Sequence, residues 1–211
     1  FSSPWAFEAM VDRLGITDDN LVASAQRWKK QAIQEVKQID YLLDEDPDAI
    51  HSRIMRIVDF IEQETDVYDK GFKIVVFTSF TETLHILKEA LDHRFEGHNL
   101  TTVAFAQDMS RDDLETSVYE FQNNDDCRII LCDETGGEGR NFQNAKMIIH
   151  IDLPWSANAL EQRIGRLDRL GRDPENDVLS VAIYTENTIE EQLLKVWRDG
   201  MQLFTHSLSG M

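Results

Sequence analysis

The chain has 211 residues, with 39 acidic against 21 basic side chains and a formal net charge of -18. That balance disfavours a broad surface that coats nucleic acid, but leaves room for a narrow basic groove on an acidic body. No apolar run is long enough to span a bilayer, and no signal peptide is visible.

Two cysteines are present, Cys127 and Cys132. Their odd spacing would turn them to opposite faces of one strand. A disulfide between them is therefore not expected, and a reducing, cytoplasmic setting is. The six histidines are scattered. His93 and His98 flank a glycine turn without the cysteine, histidine and carboxylate company of a zinc site, so no metal site is expected.

Residues 1–70 read as all-helical. Ser3-Pro4 supplies a cap and a first-turn proline before Trp5–Leu14. A long helix is expected from about Asp19 to Leu43, and after Asp46-Pro47 another carries Ile50, Ile54, Ile57, Val58 and Ile61. From Lys73 the pattern changes. Ile74-Val75-Val76-Phe77 is a continuous apolar run, as expected of a strand covered on both faces. A helix with Leu84, Leu87 and Leu91 follows. Then come a strand at Leu100–Phe105, a helix at Leu114–Phe121 and a strand at Cys127–Cys132. A strand at Met147–Ile151, a helix from Ser156, a strand at Val178–Tyr184 and a last helix through Trp197 complete the series. The alternation predicts an α/β fold, a parallel sheet flanked by helices, preceded by the helical segment. Ligands of such sheets gather at the carboxyl ends of the strands. That end collects the loops Thr78–Thr81, Ala106–Met109, Asp133–Phe142 and Asp152–Ser156.

Two segments, one a loop and one a helix, carry chemistry. Gly136-Gly137-Glu138-Gly139-Arg140-Asn141 is rich in glycine, so its backbone can approach a phosphate closely. Gln162-Arg163-Ile164-Gly165-Arg166-Leu167-Asp168-Arg169 is expected to be helical, which would place Gln162, Arg166 and Arg169 at i, i+4 and i+7 on one face. Guanidiniums stay charged and pair well with phosphate oxygens. Taken alone, the arginines fit either an anion site or a solvated, dipole-compatible helix end.

In this order and spacing the motifs resemble those of the second RecA-like lobe of superfamily-two helicases, in particular the Swi/Snf-type DNA translocases. Thr78-Ser79-Phe80 resembles their motif IV, Gly136–Asn141 their motif V, and Gln162–Arg169 their motif VI. The Glu-Gly-Arg-Asn-Phe and Arg-Leu-Asp-Arg forms are most similar to the bacterial subgroup containing the RNA-polymerase-recycling translocase. The resemblance spans about Gly71–Gln202. Cys132-Asp133 and Glu138 depart from the Swi/Snf pattern, which usually has Ser-Thr and an apolar residue there. No phosphate-binding Gly-x-x-x-x-Gly-Lys-[Ser/Thr] loop and no Asp-Glu-x-His magnesium site occurs in the chain. In the family those belong to the first lobe, and the start at Phe1 suggests a piece of a longer enzyme.

The resemblance implies a C-terminal motor lobe of an ATP-dependent helicase or translocase, inactive by itself. It implies Arg169 as arginine finger and Arg166 as its catalytic partner. Gln162, Glu138, Gly139 and Asn141 would lie toward the nucleotide. ATP and magnesium are the implied cofactors, with the magnesium ligands on the first lobe. Thr78, Ser79 and Arg140 would lie on the nucleic-acid track, joined by Gln107 and Arg111, whose loop opens on the same sheet edge. Implied partners are the first lobe, double-stranded DNA, and RNA polymerase or another protein; no membrane is implied. Residues 1–70 would be a helical linker or insertion and 71–211 the lobe. Asp168 is expected to hold an arginine, Ser110 to cap a helix, and Trp155 to pack under the motif VI helix. Arg163 is open between a functional and a structural role, since it drifts off the Gln162 face. The competing function is a non-catalytic lobe that binds nucleic acid or protein, which the acidic charge favours and the arginine spacing does not.

Overall fold

The computed structural model describes residues 13, 22–24, 26, 27, 53–134, 141–167 and 178–204. Of the helices expected before Pro47, residues 13, 22–24, 26 and 27 are described and are helical; Trp5, Trp28 and the rest lie outside the described residues. The first described helix, α1 (Arg53–Gln63), buries Ile54, Ile57, Val58 and Ile61, a spacing of 0, +3, +4 and +7 that forms one apolar stripe.

Five strands follow: β1 (Ile74–Phe77), β2 (Thr101–Phe105), β3 (Cys127–Cys132), β4 (Met147–His150) and β5 (Leu179–Ala182). All pair in parallel, in the order β2-β3-β1-β4-β5. Every residue of β1, β3 and β4 is buried, which explains why they are apolar apart from Arg128 and His150. β5 is an edge strand, half-buried, and shorter than its Val178–Tyr184 apolar run suggests. Between strands lie α2 (Thr81–Arg94), α3 (Arg111–Asn123) and α4 (Ala157–Ile164). After β5 come α5 (Ile189–Lys195) and a π-helical turn, Val196–Gly200.

One face of the sheet presents Ile74, Val76, Ile129, Leu131, Met147 and Ile149 to α1 and α2. α1 shares that core with α2 and the strands. Arg94 reinforces the same contact by pairing with Asp59 at 2.9 Å and with Glu62. The opposite face presents Val75, Phe77, Ile130, Cys132 and Ile148 to α3, Phe142 and Leu167. A smaller cluster of Leu153, Leu160, Leu194, Trp197 and Leu203 joins α4 to the C-terminal helices.

Two local features differ from the sequence expectation. Thr101 pairs with Cys127 but Thr102 pairs with Ile129, so Arg128 is an extra residue in β3. This bulge reverses the alternation once, and both cysteines, free and buried, therefore lie in the Val75–Phe77 side of the core. Burial pushes the Cys127 thiol up to about 11 and raises that of Cys132 as well. The helix of the arginine motif also ends early. Gly165 is its C-cap, so Arg166 and Leu167 sit in the turn beyond it and not on a continuous helical face with Gln162. A side-chain carbon at Gly165 would meet the carbonyl of Glu161 at 3.1 Å, so the glycine serves the tightness of this helix end.

Candidate functional site

β1 continues toward β2, whereas β4 continues toward β5, so the chain diverges on either side of the crevice between the carboxyl ends of β1 and β4. Such a crevice is where an open α/β sheet binds ligands. Asp152, two residues past β4, reaches across it. Its Oδ2 accepts from the Thr78 hydroxyl at 2.6 Å; its Oδ1 accepts from the Ser79 amide at 2.8 Å and the Ser79 hydroxyl at 2.7 Å. Arg163, on α4, closes the group. Its Nη1 donates to the Asp152 carbonyl at 2.8 Å, and its Nη2 donates to the Ser79 hydroxyl at 3.0 Å and lies 3.5 Å from the Asp152 carboxylate. The guanidinium stands over the Phe77 ring, 5.5 Å from its centre, and 3.8 Å from Glu134.

A second carboxylate organises the neighbouring loops. Asp133, buried past the end of β3, accepts from the Gln107 amide at 2.8 Å and the Thr81 hydroxyl at 3.1 Å, while the Gln107 side chain donates to Thr81 at 3.0 Å. The four loops expected at this edge are therefore joined by two buried aspartates. Neither carboxylate is arranged for a metal, and among the described residues no cluster of His, Cys, Asp and Glu could hold one.

The candidate residues fall unevenly on this frame. Thr78 is 1% exposed, with its hydroxyl turned inward, whereas Ser79 is only partly buried. Arg111 is exposed and pairs with Glu115 at 3.2 Å. Ser110 caps α3, accepting from the Asp113 amide at 3.2 Å. Gln162 is exposed; its carbonyl accepts from Arg166 Nε at 3.1 Å. Arg166 is buried, 5.9 Å from the centre of the Phe77 ring. Its carbonyl accepts from the Phe142 amide at 3.0 Å, which ties the turn after α4 to the end of the glycine-rich loop. Asn141 stands at that junction, its side chain bonded to Gln143. Glu138, Gly139, Arg140, Asp168 and Arg169 lie outside the described residues.

A family model described as the helicase conserved C-terminal domain matches residues 52–171. The chain belongs to that family. It is 32% identical over 142 residues to the RNA polymerase-associated protein RapA of Yersinia pestis (strain Pestoides F). That alignment covers 67% of this chain and 14% of RapA, so the chain spans a small part of the relative it matches. The C-terminal part of the Fun30 ATPase domain superposes with a TM-score of 0.60 at 18% identity, covering 92% of this chain and 68% of that one. The Sulfolobus solfataricus SWI2/SNF2 ATPase core, solved in complex with dsDNA, gives 0.56 at 22% identity, covering 94% and 41%. These likenesses are of fold: the helicase C-terminal lobe here is RecA-like, as its motifs imply.

Two residues correct the sequence reading. Trp155 does not pack under α4; it is 71% exposed. The space beneath the helix is filled from the C-terminal end by Trp197, whose indole N–H donates to the Pro154 carbonyl at 3.1 Å. Arg163, left undecided by periodicity, is 3% exposed and is the hub of the β1/β4 crevice. Its drift off the Gln162 face turns it toward the sheet. The signal available in the sequence was the Thr78-Ser79 strand end opposite Asp152, a pairing that leaves a buried carboxylate in need of a cation.

His150, at the end of β4, is fully buried. Burial, and then the positive charge of Arg163, push its imidazole down to about 3, so it is neutral. It stacks 6.5 Å from Phe77, and its Nε2 is 3.2 Å from the Ser180 hydroxyl.

Proposed function

We propose that this helicase C-terminal lobe is the second motor lobe of an ATP-dependent DNA helicase or translocase. The observation that carries the reading is the hydrogen bond from the Phe142 amide to the Arg166 carbonyl. It joins the glycine-rich loop to the arginine turn beside the β1/β4 crevice, the two segments such a lobe would turn toward a nucleotide. ATP with magnesium would be held mainly by a first lobe, and supplies the phosphoryl group whose transfer to water drives the motor. The part assigned to this chain is electrostatic. Arg169 would act as the finger toward the γ-phosphate, and Arg166, which stands over Phe77, would support the charge. Gln162, Glu138, Gly139 and Asn141 line the nucleotide side.

The nucleic-acid track runs along the carboxyl edge through Ser79, Gln107, Arg111 and Arg140. Contacts of this kind hold the backbone without reading sequence. Thr78 contributes by orienting the loop, since its hydroxyl is already bonded to Asp152. Trp155, exposed three residues past Asp152, offers an aromatic face to a base or sugar. The Sulfolobus solfataricus complex contains dsDNA, and RapA is RNA-polymerase-associated by name, which supports duplex DNA as the track and RNA polymerase as a partner.

The test is Arg169→Ala in the full-length protein. An arginine finger is worth about 10³–10⁵ in turnover. DNA-stimulated ATP hydrolysis should therefore fall by at least about a thousandfold with folding unchanged. Normal turnover in that variant removes the finger assignment, and a full-length sequence lacking a phosphate loop removes the motor reading.

A further inference from the structure

Arg53 opens α1, far in sequence from every motif, yet its guanidinium lies at the end of β4. Nη1 donates to both carboxylate oxygens of Glu190, at 2.9 and 3.0 Å. Nη2 donates to the carbonyl of Ile151 at 2.6 Å and to that of Ile183 at 3.0 Å. Those carbonyls stand one residue past the last β4/β5 pair, His150 with Ala182. One planar fork thus caps both strands where they part, and Glu190 continues the chain of contacts by accepting from the Thr185 amide at 2.9 Å. A lysine has no equivalent planar set of donors.

Packing of α1 does not require this arrangement. The helix is already anchored by its apolar stripe and, at its other end, by Arg94 with Asp59 and Glu62. What the fork fixes is the peptide directly before Asp152. Asp152 in turn sets the Ser79 amide and hydroxyl. We propose that Arg53 is a positioning residue for the phosphate-contacting edge: by capping Ile151 and Ile183 it holds the Asp152 turn, and through it Ser79, in the orientation that meets a nucleic-acid backbone. The inference rests on the reading of this edge as a DNA track.

The experiment uses the full-length protein with Arg53→Met, Arg53→Lys and Glu190→Gln. Two quantities are read: amide exchange at Ser79 against Ile130 in the central strand, and ATP turnover as a function of duplex DNA concentration. In Arg53→Met, Ser79 exchange should quicken by about tenfold while Ile130 stays within about twofold. The DNA concentration for half-maximal stimulation should rise about tenfold, with turnover at saturating DNA within about twofold. Arg53→Lys should recover part of both effects. Glu190→Gln should be milder than Arg53→Met, because the carbonyl caps remain. Unchanged Ser79 exchange, or exchange that quickens equally at Ile130, overturns the positioning role. Unchanged DNA dependence in Arg53→Met, with a wild-type enzyme that responds to DNA, overturns its link to the track. A wild-type ATPase indifferent to DNA instead overturns the track reading, and the Ser79 exchange still decides whether Arg53 positions the loop.

Discussion

Asp152→Ala is the most informative single substitution in the β1/β4 crevice. The carboxylate takes the Thr78 hydroxyl, the Ser79 amide and the Ser79 hydroxyl within 2.6 to 2.8 Å, and stands 3.5 Å from the Arg163 guanidinium. Removing it leaves the Ser79 amide without its acceptor and a buried cation without its nearest carboxylate. The Asp152 carbonyl and the Ser79 hydroxyl still receive Arg163, so two bonds of the group survive. Breaking a buried charge pair in this way costs about 3–5 kcal/mol. Asp152→Asn keeps one oxygen for Ser79, and the Thr78 hydroxyl can rotate to accept from the new amide, so its cost should be about 1–2 kcal/mol. Urea unfolding of the 211-residue chain, followed by far-UV circular dichroism, measures both. Arg163→Met in the same backgrounds completes a cycle, whose coupling should be about 1–3 kcal/mol. An alanine variant less than about 1 kcal/mol below wild type, or a cycle additive within about 0.5 kcal/mol, refutes the placement of Arg163 and Asp152 as one unit.

His150 gives a pH signature. Its folded value of about 3 lies below the ordinary 6.5, so the unfolded chain binds its proton first; the stability it protects is complete above about 6.5 and is lost as pH falls toward 3. Between pH 7.5 and 5 this group should remove about 2 kcal/mol, a loss absent from His150→Gln when urea midpoints are compared at the two pH values. The two tryptophans should separate cleanly. Trp197→Ala should destabilise the chain by about 3–5 kcal/mol, whereas Trp155→Ala should stay within about 0.5 kcal/mol. In the full-length protein Trp155→Ala should weaken duplex binding by about 1–3 kcal/mol in a fluorescence anisotropy titration, and unchanged affinity would remove it from the track.

The sheet was legible because its inner strands are covered on both faces. Ile74–Phe77 and Ile129–Cys132 carry unbroken apolar runs for that reason, and their order with the helices predicts parallel pairing. The β3 bulge was not legible. Its one trace is Arg128, a charged residue inside an apolar run, whose Nη1 donates to the Val67 carbonyl at 2.8 Å. The choice between tryptophans was equally hidden, since it depends on where a helix 40 residues downstream docks, and no local pattern records that. The arginine motif was visible by residue type and spacing, but its geometry was not. Helical periodicity extended the helix through Arg169, whereas the helix ends at Ile164 with Gly165 as its cap, and Leu167 joins Phe142 in the core.

The acidic composition and the proposed nucleic-acid edge are reconciled by where the carboxylates sit. Asp133 and Asp152 are the acidic side chains that organise the crevice, and both are turned inward and bonded to amides and hydroxyls. Their role there is that of internal anions that hold the loops after β1, β2 and β4 at one level. Asp152 is further balanced by Arg163, so its charge is compensated before any ligand approaches. Much of the net -18 lies instead on solvated helix faces, such as Asp112, Asp113 and Glu115 on α3. At about 0.15 M salt the Debye length is about 8 Å, so charges on the far sides of the helices are largely screened from a phosphate at the strand ends. An acidic lobe can therefore carry a nucleic-acid edge, provided that its few cations and donors are fixed in position, which is the work of Arg163 and the two aspartates.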